Sequence, residues 1–252
     1  MIPLKDNVPG SGVPAVTIAL IGLCLLVFCW QLTLSGKQGS AGDRNGEIVV
    51  GDFSERDEFA AKYGTSPARI AGHPDEVEFR HRPPTWMSPA TAFPVAADLL
   101  HLAINLLFLL IFGRTLEARL GRIRFGALLV LAVAAGAGAQ ALADPDSTGL
   151  VVGASTGLAG LLGAYAVLYP RAAIVSVSLI PGFGTVLEVP ALLMIAAWLG
   201  IGLIPAVGPM VDVDLVAGLG VEFVGYAGAI AIGAAAAGLL GRGRPAATLA
   251  AV

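Results

Sequence analysis

VVGASTGLAGLLGAYAVLYPR, Val151 to Arg171, is glycine-rich and almost wholly apolar, with one serine, Ser155, near its start. A hydroxyl flanked by Gly153 and Gly157 sits where neighbouring backbone can approach closely, which is what an oxyanion site demands. Gly153, Gly157, Gly160 and Ala164 also recur at helical spacing and make a smooth face for another helix. Chemistry and packing both have a claim on this stretch, so Ser155 is either a nucleophile or a small packing residue.

Outward from it, the 252-residue chain is 56% hydrophobic and 13% charged, with a mean hydropathy of +0.80. Soluble domains carry about a quarter charged residues, so this chain is expected to live in a bilayer. The net charge is only -3 and no basic stripe is present, which argues against a nucleic-acid partner. Cys24 and Cys29 lie in one apolar run on different helical faces and form neither a disulfide framework nor a metal site. His73 and His81 fall in a polar loop without companions at ligand spacing. No metal and no cofactor is expected.

After a short polar segment, residues 1–12, apolar runs cover about 13–34, 93–112, 125–143, 151–169, 187–204 and 216–240. Each is near the roughly 20 residues that span a bilayer. The expected fold is therefore all-α, a polytopic bundle of six spans within residues 13–242, with a tail at 243–252. The long polar segment 35–88 becomes a large extracytoplasmic first loop. Within it SERDEFAAKYG reads as a short amphipathic helix, and Trp86 suits the membrane interface. GRTLEARLGRIR, Gly113 to Arg124, is the densest basic cluster, and the positive-inside rule places it in the cytoplasm. Both termini then lie in the cytoplasm, while Asp144, Asp146, Asp212 and Asp214 face out.

The second run holds Asp98, His101 and Asn105, groups that hydrocarbon excludes unless they have a function. His101 and Asn105 are one helical turn apart on one face. The topology puts both in the outer half of the bilayer with Ser155, so they can meet. Gly225, Ala229, Gly233 and Ala237 place a small residue at every fourth position of the sixth run, which predicts direct contact with the glycine face of the fourth.

These segments together resemble the rhomboid family of intramembrane serine proteases. HLAIN, 101–105, matches the family's H-x-x-x-N, and FGRTLEARLG follows as its Phe-Gly, Glu and Gly pattern does. GASTGLAGLLGAYAVLYPR, 153–171, is similar to the GxSG-containing fourth helix, and EVPALLMIAAW, 188–198, to the fifth. The resemblance implies that Ser155 stands at the nucleophile position, with His101 and Asn105 at the oxyanion-hole positions and Gly153 and Gly157 as motif backbone. It also implies transmembrane protein segments as substrates or clients.

The family's general base, a histidine on the sixth helix, does not carry over. GYAGAIAIG, 225–233, aligns without a gap and puts Tyr226 in its place, and none of the three histidines lies beyond His101. The second Gly of GxSG is Thr156, the aromatic four residues after the serine is Ala159, and the family's extra histidine falls at Ala96. A serine needs a base within reach, and tyrosine, with a reference pKa of about 10, is a weak one. The sequence thus reads as a rhomboid homologue that is catalytically impaired, a pseudoprotease binding membrane-protein clients. The alternative is an active endopeptidase whose base is His101, or Tyr226 assisted by Glu222. The larger Tyr226 would fill volume vacated at Ala159. A transporter would place ionisable groups along a midplane path or in paired broken helices, which this chain lacks. Its alanine, glycine and arginine usage suits the cytoplasmic membrane of a high-GC bacterium.

Overall fold

The structure, a computed structural model, describes residues 2–8, 12–34, 38–43, 48–73, 77–78, 81–177, 186–203 and 213–240. For 38–43, 48–53, 77–78, 201–203 and 213–222 it describes the backbone alone. Strand β1 (Ile2–Asp6) precedes helix α1 (Ala15–Thr33). The long polar segment then carries β2 (Gln38–Asp43), β3 (Ile48–Ser54), α2 (Glu55–Tyr63), α3 (Pro67–Ala71), β4 (Val77–Glu78) and α4 (Ser88–Ala92). Helix α5 (Leu99–Phe108) continues through a π-helical turn, Leu109–Gly113, into α6 (Arg114–Leu120). Next come α7 (Arg122–Ala143), α8 (Ser155–Leu168), β5 (Ala173–Val177), β6 (Val186–Pro190), α9 (Ala191–Leu203) and α10 (Val213–Leu240).

Among the described residues four helices are long and apolar enough to cross a membrane: Ala15–Thr33, Leu99–Leu120, Arg122–Ala143 and Phe223–Leu240. Ser155–Leu168 and Ala191–Gly200 are shorter apolar helices. The protein is thus a mainly helical integral membrane protein.

The apolar runs overstate several helices, because hydrophobicity does not report backbone conformation. The second run becomes helical only at Leu99, after the stretch containing Pro94, and Asp98 is its N-cap, its carboxylate accepting from His101 N at 2.8 Å. Asp98 is therefore an exposed cap and not a polar group lost in the hydrocarbon. The fourth run becomes helical only at Ser155, because Val151 pairs with Thr65 in a β-bridge and Gly153 takes a φ of +97°, which favours glycine. The fifth begins as strand β6 and becomes helical at Ala191.

The all-helical expectation is also corrected, because among the described residues two three-stranded antiparallel sheets form, in the orders β1-β5-β6 and β3-β2-β4. Their strands are short and lack a long alternating pattern, so they leave little trace in the sequence. In the first sheet the chain's N-terminal strand pairs with the segment following α8, Asp6 opposite Ile174. The expected helix in SERDEFAAKYG is α2, opened by a capping box between Ser54 and Asp57.

The core is the close packing of α7, α8 and α10. A Cβ on Gly160 would collide with Ala132 Cβ, and one on Gly233 with the Gly160 carbonyl. Gly163 lies on the Ile230 backbone. The expected contact between the fourth and sixth runs is therefore present, with backbones brought together by missing side chains. The two small-residue rows divide their work, however. Gly225 and Gly228 face Gln140 and Ala139 of α7, and Gly157 faces Leu129 and Val133 of α7 and Phe93.

Three buried polar side chains pin the remaining elements to this core. Glu117 of α6 accepts from Val16 N at 2.9 Å, Thr17 N at 2.8 Å and Thr17 Oγ1 at 2.8 Å, capping α1 with a carboxylate. Gln31 of α1 exchanges two hydrogen bonds of 3.1 Å with the Ala96 backbone and so fixes the stretch before α5. Asp6 accepts from Thr115 Oγ1 at 2.5 Å and from the Tyr165 hydroxyl at 3.0 Å, joining β1 to α6 and α8.

Candidate active site

Ser155 is the first residue of α8 and is 7% exposed. The N–H groups that open a helix have no intrahelical acceptor. Here the N-cap is Ala154, which makes no side-chain cap hydrogen bond to the start of the helix that Ser155 opens. The turn into the helix is fixed from outside. Gly153 N donates to Ala92 O at 2.9 Å, and Thr65 and Val151 exchange bonds of 3.0 and 2.7 Å.

His101 lies against this turn. A Cβ on Gly153 would stand 2.8 Å from His101 Cε1 and 3.4 Å from Nε2, so only glycine admits the ring there. The structure thus brings His101 to within two residues of Ser155 along the chain. Asn105 is one turn further along α5 and is 4% exposed. Gly157 gives way to Phe93, whose ring carbon would lie 2.9 Å from a Cβ at that position.

Thr156, where the motif's second glycine is expected, is accommodated by a vacancy opposite. Its methyl occupies the space a side chain on Gly136 would need, and the same space borders Gly225 O and Ala229 Cβ. The Ala96 backbone is fixed by the Gln31 amide from α1.

Tyr226 is half-buried and packs against the cluster of Ala132, Ala159 and Ala229. Its ring lies 5.7 Å from that of Trp198 on α9 and 6.0 Å from that of Phe223. The ring therefore borders the small cluster that includes Ala159. Glu222, the residue invoked as its helper, has a side chain outside those described.

Sequence reasoning missed Gln140. Its side chain packs on Gly225, the residue before Tyr226, is 2% exposed, and its Nε2 has no hydrogen-bond partner among the described residues. The available signal was a glutamine inside an apolar run, the same signal that singled out His101 and Asn105. An orphaned buried donor costs about 1 to 3 kcal/mol.

In all, a membrane-spanning helical scaffold presents a serine at an uncapped helix start, with a histidine against the preceding glycine. That architecture is a class in which hydroxyl chemistry can be held away from bulk water. The family model of the Rhomboid domain matches residues 84–242, well over half of the chain, and the chain belongs to the rhomboid family. Neither the comparison with curated proteins nor that with solved structures returned a match.

Proposed function

We propose that this protein is a rhomboid homologue whose proteolytic chemistry is disabled at the general base, and that it acts by binding transmembrane segments of other proteins. The observation that carries this reading is Tyr226: the residue aligned with the base is a phenol packed against Trp198 and a cluster of small side chains. A phenol, with a reference pKa of about 10, is a poor general base for a serine near neutral pH. The rest of the machinery supports a family-type site. Ser155, the free donors opening α8, and His101 and Asn105 on α5 match nucleophile and oxyanion stabilisers. Loss of one member of a serine unit leaves roughly 10³ to 10⁴ over water, which is negligible turnover for a peptide bond.

In this reading the six apolar segments all span, the termini and the arginine cluster are cytoplasmic, and the segment 35–88 is extracytoplasmic, in a bacterial plasma membrane. Helix α8, with 14 residues, is about 21 Å long against a hydrocarbon core of about 30 Å. Ser155 then opens below the outer surface, where a client helix can reach it laterally.

The second reading, an active protease with His101 as base, is favoured by the seating of the imidazole on Gly153. The two separate in one experiment: Tyr226→His in liposomes with a model transmembrane substrate. A disabled base predicts that this variant gains cleavage that Ser155→Ala abolishes. If His101 is the base, the natural sequence already cleaves and His101→Ala removes it.

A further inference from the structure

We propose that the corner where α6 turns into α7 binds the headgroup of an anionic phospholipid. Arg122, Ile123 and Arg124 are consecutive, all exposed, and open the spanning helix α7. Ile123 is 88% exposed, so it contributes nothing to the core, and it stands in sequence between two exposed arginines, Arg122 beside the start of α1 and Arg124 beside the end of α10. A charged corner that served orientation alone would need the arginines and not the isoleucine.

Beside it lies a crevice between the Gly12–Pro14 segment that leads into α1 and the Glu117–Arg122 turn. One wall is apolar, with Val13 70% exposed, and the other carries Arg122. Glu117 is the acid in this crevice, and both its oxygens are taken by the start of α1. Its charge is therefore spent on that helix and not on Arg122. Arg124 donates Nη1 to Leu240 O at 3.3 Å, which steadies the side chain at the end of α10 while other donors of the guanidinium remain exposed.

The chemistry fits one occupant. Guanidinium groups take phosphate oxygens by paired, charge-assisted hydrogen bonds. Ile123 and Val13 are both exposed apolar side chains that acyl chains can contact, a contact a soluble phosphate cannot use. Clusters of basic residues at the end of a spanning helix attract anionic lipid, each contributing appreciably at the surface.

The test is native mass spectrometry of the full chain in mild detergent, titrated with phosphatidylglycerol or phosphatidylcholine. Phosphatidylglycerol is retained in preference, Arg122→Gln/Arg124→Gln weakens it on the order of tenfold or more, and Ile123→Ser weakens it several-fold with the charge unchanged. Lys62→Gln, on α2, leaves it unaltered. Equal retention of the two lipids, an unchanged affinity in the double arginine variant or in Ile123→Ser, or an equal loss in Lys62→Gln overturns the proposal. So does displacement of the lipid by millimolar inorganic phosphate, which would mark a site for a soluble anion.

Discussion

Gln140 shows how one side chain can carry a cost the fold accepts. Its amide nitrogen is buried on Gly225 without a partner, and an apolar side chain of similar length would remove that penalty. Gln140→Met is expected to raise the apparent unfolding midpoint in detergent, by a stability gain of about 1 kcal/mol. A clear fall would mean that the amide is satisfied in the folded protein. Asp57 makes the opposite kind of contribution. Hydrogen bonds from Ser54 to its carboxylate hold its pKa below the usual value. A depressed folded pKa stabilises at neutral pH, and that contribution disappears as pH falls through the acidic range where the carboxylate takes up its proton. Hydrogen exchange across Glu55–Tyr63 should therefore quicken, after correction for intrinsic rates, on acidification. In Asp57→Asn it should be fast already at neutral pH; an α2 whose corrected protection is the same at both pH values would contradict this.

At the scale of elements, packing between α7, α8 and α10 depends on side chains that are absent. Gly233 meets the Gly160 backbone, so Gly233→Val must force α8 and α10 apart. It should lower the unfolding midpoint sharply, by the equivalent of about 3 kcal/mol or more. Gly138, on α7, has open space where a Cβ would stand, and Gly138→Ala should be neutral or stabilising by up to about 1 kcal/mol through helix propensity. Equal effects from the two substitutions would refute this account of the packing.

The same elements show what could be read from the chain. The approach of His101 to the turn before Ser155 and the meeting of the fourth and sixth apolar runs were legible, because small residues at helical spacing and polar groups in apolar runs have few physical excuses. The starts of α5, α8 and α9 were not, because Phe93–Ala97, Val151–Ala154 and β6 are mostly apolar without being helical. The pins also escaped notice. Asp6, Gln31 and Glu117 act over long sequence separations, on partners no local pattern announces.

Over the whole molecule, the turn before Ser155 is held by three regions distant in sequence. Thr65 from the long polar segment pairs with Val151, Ala92 O receives Gly153 N, and His101 fills the space beside Gly153. A surface contact between His73 Nδ1 and Asp146 Oδ1, 2.9 Å apart, adds a further link between the polar segment and the loop leading to α8. The serine's scaffold is thus held from several sides, and the proposed loss of the base at Tyr226 would leave that rhomboid framework for binding. The most direct test is the rate at which the purified natural chain and its Ser155→Ala variant cleave a model transmembrane substrate in liposomes. The account predicts the same background rate for both. Cleavage by the natural chain that Ser155→Ala abolishes would contradict it.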